Sequence, residues 1–348
     1  MTDRGWNELL DELRALGGTA DNLCLRAGPF GRGLFAEDPA KPVRLRIPPN
    51  VLVEVAHVVF EDGVFRVGPE SKLDSRERAF VEKYEAEFSW GAGGRVETEE
   101  FFESAKALPE PARKILSGRM GLGFLFAEIT PDLIQRRFLG ARRINCNGRS
   151  VVMSIMDLTN YGHLADFDTD NGIEVSGQFP GEVLVRYSNS DSCGIFRGWG
   201  FASEESEAFS VNLRVKTELG SFVVSTKYDE PMSGPHPLVP KVKVEGREIA
   251  FSFLLLGNRK FPRLPKGIFC RAMKDAGYPR AEESFEYIRH ANQLVLVDAL
   301  EALEGVEGAM AQTLRRTLLW QLRTLSYCFG ARDPLNPVAL PPPPAPIR

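Results

Sequence analysis

Between Met153 and Phe201 the chain gathers polar residues at the ends of apolar runs, where a fold can hold them still. The run Val-Val-Met-Ser-Ile-Met ends in Asp157-Leu-Thr-Asn160-Tyr161-Gly-His163. A turn-rich insert follows, then Gly181-Glu182-Val-Leu-Val-Arg-Tyr187-Ser188-Asn189 and, last, Gly198-Trp199-Gly200-Phe201. Upstream stands Gly28-Pro-Phe-Gly31-Arg32-Gly33-Leu34-Phe-Ala. Glycine suits a backbone that needs positive φ or must press against a ligand, although Gly-Arg-Gly between apolar runs is by itself only a turn signal. Asp157 and Asn160 suit a capped turn equally well, and Tyr187 suits any strand. Other chemistries find no footing. The glycines lack the helix-opening pattern and acidic partner of a dinucleotide fingerprint, and no Walker-type loop occurs. His57, His163, His236 and His290 have no metal-ligand spacing, so no metal is expected. No local signature makes any cysteine a nucleophile.

These residues need elements to carry them. Apolar positions at Trp6, Leu9, Leu10, Leu13 and Leu16 predict a helix that Gly17-Gly18 ends. Short strands are expected at 22–26, 33–36, 43–47 and 64–67, with proline and glycine turns between them. Residues 74–118 turn helical, with Phe80, Val81, Tyr84 and Phe88 on one face. That pattern breaks at Trp90-Gly-Ala-Gly-Gly94, and Thr98 before Glu99-Glu100 reads as a new helix start. Residues 131–143 read as a helix and 150–157 as a buried strand or helix end. Strands are expected over 209–226 and 241–255, and helices from Lys266 onward. The fold class is therefore α+β.

Composition narrows the partners. The 348 residues are 43% hydrophobic and 26% charged, as in ordinary soluble proteins. A net charge of −4 argues against a general nucleic-acid binder and leaves room for a basic peptide. Five scattered cysteines form neither a disulfide framework nor a zinc knuckle, which points to a reducing cytoplasm. The opening Met-Thr-Asp-Arg-Gly-Trp lacks a leader pattern, and no run of about 18 apolar residues occurs, so no membrane is expected. The tail Pro341-Pro-Pro-Pro-Ala-Pro346 reads as a mobile end. Oligomeric state is not legible.

Taken in order, Gly31-Arg32-Gly33, Asp157-x-x-Asn160, Gly181-Glu182, the strand ending in Tyr187 and Trp199-Gly200-Phe201 resemble a SET domain. The likeness is to the subgroup holding the Rubisco large-subunit and actin-histidine methyltransferases. It covers residues 22–68 and 130–215. The resemblance implies a SET-type β-fold of short strands interrupted by a helical insertion and followed by a mostly helical C-terminal domain. Its implied divisions are an N-terminal helix (1–20), a first half (21–72), the insertion (73–140), a second half (141–204), a C-terminal domain (205–335) and the tail (336–348). It also implies S-adenosyl-L-methionine as cofactor and N-methylation of a protein lysine.

The roles carried over are residue by residue. Tyr187 would stand beside the transferred methyl, hold the acceptor nitrogen and help remove its proton. Gly31, Arg32, Gly33, Leu34, Asp157, Asn160 and Tyr161 would meet the cofactor. Arg142 or Arg143, with Arg143 preferred, would grip its carboxylate, as a planar guanidinium can do bidentately. Trp199 and Phe201 would line the acceptor channel. Three departures stand out. Tyr161 replaces the family's histidine, Ser188 replaces a glycine after the tyrosine, and Trp199 replaces a tyrosine. The first bears on cofactor affinity and the third on the acceptor. Alternatives are therefore an enzyme acting on histidine or a small-molecule amine, or a degenerate SET fold that only binds a partner.

Overall fold

The computed structural model describes residues 3–225 and 239–327; the proline-rich tail, His236 and Cys328 lie outside the described residues. The architecture is α+β, with small sheets and a helical C-terminal region. In chain order it opens with α1 (Asp3–Ala15), β1 (Thr19–Asp21), β2 (Leu23–Gly28), β3 (Gly31–Ala36), β4 (Val43–Ile47), β5 (Val58–Glu61) and β6 (Val64–Val67). Helices α2 (Ser75–Phe88), α3 (Arg95–Lys106), α4 (Glu110–Met120) and α5 (Pro131–Ala141) follow. Then come β7 (Arg143–Cys146), β8 (Arg149–Val152), β9 (Asn160–Asp166), β10 (Ile173–Gly177), β11 (Leu184–Arg186) and α6 (Ser192–Trp199). The remainder is β12 (Glu207–Phe209), β13 (Leu213–Thr217), β14 (Gly220–Val224), β15 (Val242–Glu245), β16 (Glu248–Phe251), β17 (Leu255–Asn258), α7 (Leu264–Asp275), α8 (Ala281–Glu301) and α9 (Ala309–Tyr327).

Local chemistry explains the elements that matter for the site. Trp6, Leu9, Leu10 and Leu13 are all buried, so α1 packs its one apolar stripe inward. Asp74 caps α2 by accepting from the Arg76 and Glu77 amides, while Glu77 reaches back to the Asp74 amide at 2.8 Å. Between α2 and α3 the segment Trp90–Gly94 kinks, with Gly93 at φ 122°. The chain resumes as α3 at Arg95, and this corrects the expected start at Thr98. Thr98 sits inside the helix, where its hydroxyl donates back to the Gly94 carbonyl at 2.6 Å. Such back-bonding lets a threonine live in a helix interior instead of capping it.

The chain divides into two units, with the first boundary falling inside α3 at Glu99. The first unit runs through Glu99 and from Ile129 to Ser188. Its central sheet has β4 between β1 and β10, antiparallel to both, and one register aligns the buried Ala20, Leu45 and Val175. The β2–β3 hairpin turns through Pro29-Phe30, and its outer strand is stitched to the loop before β11. Ala36 donates to Gly181 at 2.9 Å, and Val183 donates to Leu34 at 2.8 Å. Strand β11 runs parallel to β9, with a register shift between Leu184 and Val185.

The second unit takes Glu100–Glu128 and, among the described residues, those from 189 to 327. It holds a four-stranded sheet in the order β13-β14-β16-β15, the pair β12–β17, and the helices α6 to α9. The buried Asp191 is its polar knot. That carboxylate accepts from Gly194 N at 2.7 Å, Phe209 N at 2.8 Å and Gln321 Nε2 at 2.5 Å, so it ties α6, β12 and α9 together.

Candidate active site

Gly33, on β3, is the tightest point. A Cβ there would stand 2.5 Å from both Asn160 Nδ2 and Glu182 Oε1, closer than any side chain tolerates. Asn160 opens β9 and donates to Glu182 Oε1 at 2.6 Å and to the Arg32 carbonyl at 3.5 Å. Glu182 is held opposite Phe35 by the β3 stitching, and burial pushes its carboxyl above the usual range while the Asn160 amide pulls the other way. Gly31 needs its lack of a side chain for another reason, a backbone φ of 94°. Gly33→Ala should therefore destabilise the protein by about 1–3 kcal/mol, the usual cost of overpacking. Urea unfolding checks this, and an unchanged midpoint would mean that Asn160 and Glu182 are free to move aside.

Tyr187 follows β11 and is half-buried. Its hydroxyl donates to the Thr159 carbonyl, one residue before Asn160. Two aromatic side chains of the same region pack against it. The Tyr161 ring lies 5.3 Å away, edge-on at 73°, and Phe167 stacks at 6.4 Å. His163 meets Tyr161 at 5.4 Å. Burial, and after it the negative charge of Asp157, push the Tyr187 phenol well above its ordinary value, with Arg142 opposing. Tyr187 is thus a neutral phenol at physiological pH. A phenol held that way is suited to hydrogen bonding more than to taking a proton.

Asp157 lies deeper. Its side chain is 4% exposed, and Arg142 Nε stands 3.2 Å from Oδ2. Tyr84 donates to Oδ1, and Ser89 donates to Oδ2 at 3.1 Å. Burial raises the Asp157 carboxyl while Arg142 and the two hydroxyls hold it down. Just before it, Ile155 is buried at φ 67°, ψ −43°, a backbone that a β-branched residue adopts only under strain of about 1–3 kcal/mol. Arg142 packs its guanidinium 4.1 Å over the Phe138 ring, and its buried Nε makes no aligned hydrogen bond.

The two candidate arginines are placed differently. Arg143 is exposed on β7, and it is Arg142, at the C-terminal end of α5, that reaches Asp157. The strand pleat turns successive side chains to opposite faces, and sequence alone does not say which one faces inward. Arg32 donates to the Phe88 carbonyl at the end of α2. Leu34 is fully buried, and its carbonyl accepts from the Val183 amide. Trp199 and Phe201 lie in the second unit, at the end of α6 and just beyond its Gly200 cap, both half-buried.

Sequence reasoning missed Tyr84, Glu85 and Ser89, and gave Glu182 no role. One signal was available. Glu85 falls on the α2 stripe with Val81, Tyr84 and Phe88, and a carboxylate on an apolar face is rarely idle.

The cluster therefore brings together a glycine packed against an amide and a carboxyl, a guanidinium paired with Asp157, and a phenol bound to the Thr159 carbonyl. Among the described residues no group of three or more His, Cys, Asp or Glu side chains is placed to hold a metal ion. No described helix is long and apolar enough to cross a membrane. No family model matches the chain, and no curated protein matches it.

Proposed function

We propose that the protein is a SET-type N-methyltransferase that uses S-adenosyl-L-methionine and acts on a lysine of a protein or peptide. The observation that carries the reading is the meeting of Gly33, Asn160 and Glu182 next to Tyr187, whose phenol rests on the Thr159 carbonyl. The residue types fit the cofactor in two respects. Gly33 leaves no Cβ in a space flanked by two polar groups, and Arg142 has a buried Nε–H without an aligned partner. When bound, the cofactor supplies a methyl group on a positively charged sulfur.

The chain's own part is positioning. Arg142 would take the carboxylate, while Asn160 and the backbone at Arg32–Gly33 would hold the rest. The single proton of the Tyr187 phenol is committed to Thr159. Its oxygen would accept an N–H of the incoming amine, which turns the nitrogen lone pair toward the methyl. The amine must arrive neutral, although its ordinary pKa is about 10.4. Enclosure among Tyr161, Phe167 and Tyr187 favours the neutral form by desolvation. Since Tyr187 keeps its own proton, the amine's proton leaves to solvent before the amine is enclosed.

Calorimetric titration with S-adenosyl-L-methionine tests the reading. Saturable binding in the micromolar range, about −8 kcal/mol, is expected. No heat at millimolar cofactor would sink it and favour a SET-like fold that only binds a partner.

A further inference from the structure

Strand β8 ends at Val152 and β9 opens at Asn160, so the loop between them, 153–159, aims several groups of the site. Its start is fixed. Met153 N donates to the Arg142 carbonyl at 2.9 Å, and the Met153 carbonyl accepts from Asp157 N at 2.8 Å. Arg142 holds the loop a second time through its guanidinium, 3.2 Å from Asp157. One tight helical turn, Met156–Leu158, then leads to Thr159, whose amide and hydroxyl donate to the Met156 carbonyl at 3.0 and 2.7 Å. Out of that turn come the Thr159 carbonyl that Tyr187 bonds and the Asn160 amide that meets Glu182.

The chain enters the turn through Ile155, fully buried, at φ 67° and ψ −43°. Among the described residues the other non-glycine residues at positive φ are Asn22, Asp62 and Asn147. Those are short polar residues, of the kind that visit left-handed turns readily. Ile155 has no such excuse, since it is β-branched and its ψ lies outside the left-handed helical region. A strained backbone persists only where its surroundings hold it. Here the hold comes from the side chain, packed in the core of the first unit.

Because Met153 is pinned upstream, φ at Ile155 decides where everything after it points. Returning it to the usual negative range would swing Asp157, Thr159 and Asn160 away together. We propose that Ile155 is a positioning residue: its positive φ, clamped by its buried side chain, sets Asp157 on Arg142 and Asn160 on Glu182 beside Gly33. That this placement serves a cofactor rests on the function proposed above. Were Ile155 only a core residue, its side chain alone would count and its backbone would be incidental.

The experiment compares Ile155→Gly with Ile155→Ala in the full chain. Both remove nearly the same buried side chain and differ in the backbone they accept. Elsewhere glycine is the less stable of the two, because it has more freedom to lose on folding. Here the order should invert, with the folding equilibrium of the glycine variant larger by about three- to tenfold in urea unfolding. In calorimetric titration with S-adenosyl-L-methionine, the alanine variant should bind about three- to tenfold more weakly than the glycine variant, which keeps the turn. Hydrogen exchange at the Asp157, Leu158 and Thr159 amides should be faster in alanine than in glycine, a readout free of ligand. Should either variant not fold, all are measured in trimethylamine N-oxide, which strengthens burial without touching the turn. A glycine variant less stable than alanine, or equal affinities in the two, would overturn the proposal. A wild type that binds nothing at millimolar cofactor would sink the cofactor reading alone. Exchange then decides this inference, faster rates in alanine upholding it and equal rates overturning it.

Discussion

Tyr187→Phe is expected to lower methyl-transfer turnover by about 10²- to 10³-fold while the dissociation constant for the cofactor changes less than about threefold. The reasoning is geometric. Phenylalanine keeps the ring against Tyr161 and Phe167 but removes the oxygen whose lone pairs would orient the amine. It also removes the donor to the Thr159 carbonyl, on a residue that is fully buried, at a cost of about 1–2 kcal/mol. The variant should therefore fold with a slightly lower urea midpoint, and its kinetics are to be read on the folded protein. Because the wild-type phenol is held far above its ordinary value, its ionisation should leave no inflection in kcat between pH 7 and 10. Unchanged turnover would remove Tyr187 from the mechanism. A loss of cofactor affinity as large as the loss of rate would instead assign it to holding the Thr159–Asn160 backbone.

The largest stability effect is expected at Asp191→Ala, in the second unit, at about 3–5 kcal/mol. Three donors converge on that carboxylate, two backbone amides and the Gln321 side chain, and Gln321 is itself 1% exposed. Alanine leaves all three without that acceptor, and each orphaned buried donor costs about 1–3 kcal/mol. Gln321 keeps a second acceptor in the Phe209 carbonyl at 3.1 Å, so its share is the smallest. Burial raises the Asp191 carboxyl despite these bonds, so holding the ion has a cost that alanine relieves. The donors outnumber that gain. Urea unfolding of the variant measures the difference, and a shift below 1 kcal/mol would mean that water replaces the carboxylate.

The parts of this fold that sequence foretold are those set by nearest neighbours. Helix α1 was written in four leucine and tryptophan positions, and β4 and β6 in alternating apolar residues between prolines and glycines. Gly31 in the hairpin was visible because positive φ leaves few choices. What stayed hidden depends on facing. Nothing in Arg142-Arg143 says which guanidinium turns inward, and Thr98 looked like a cap because the kink before it does not end the helical path. The helix Ser192–Trp199 was masked by reading Trp199 and Phe201 as a motif, although Asp191 is a sound N-cap. The Tyr84–Ser89–Asp157 bonds link residues 68 to 73 apart, and no local pattern encodes such a pairing.

The same separation has a kinetic side. The bond from Asn160 to the Arg32 carbonyl bridges 128 residues, and Glu182 reaches the hairpin from farther still. Closing loops of that length costs chain entropy long before the contacts return anything. The cluster is therefore expected to assemble late in folding. If the cluster assembles that late, a molecule seated there should act mainly by slowing escape from the native state, which the unfolding rate with and without ligand would measure.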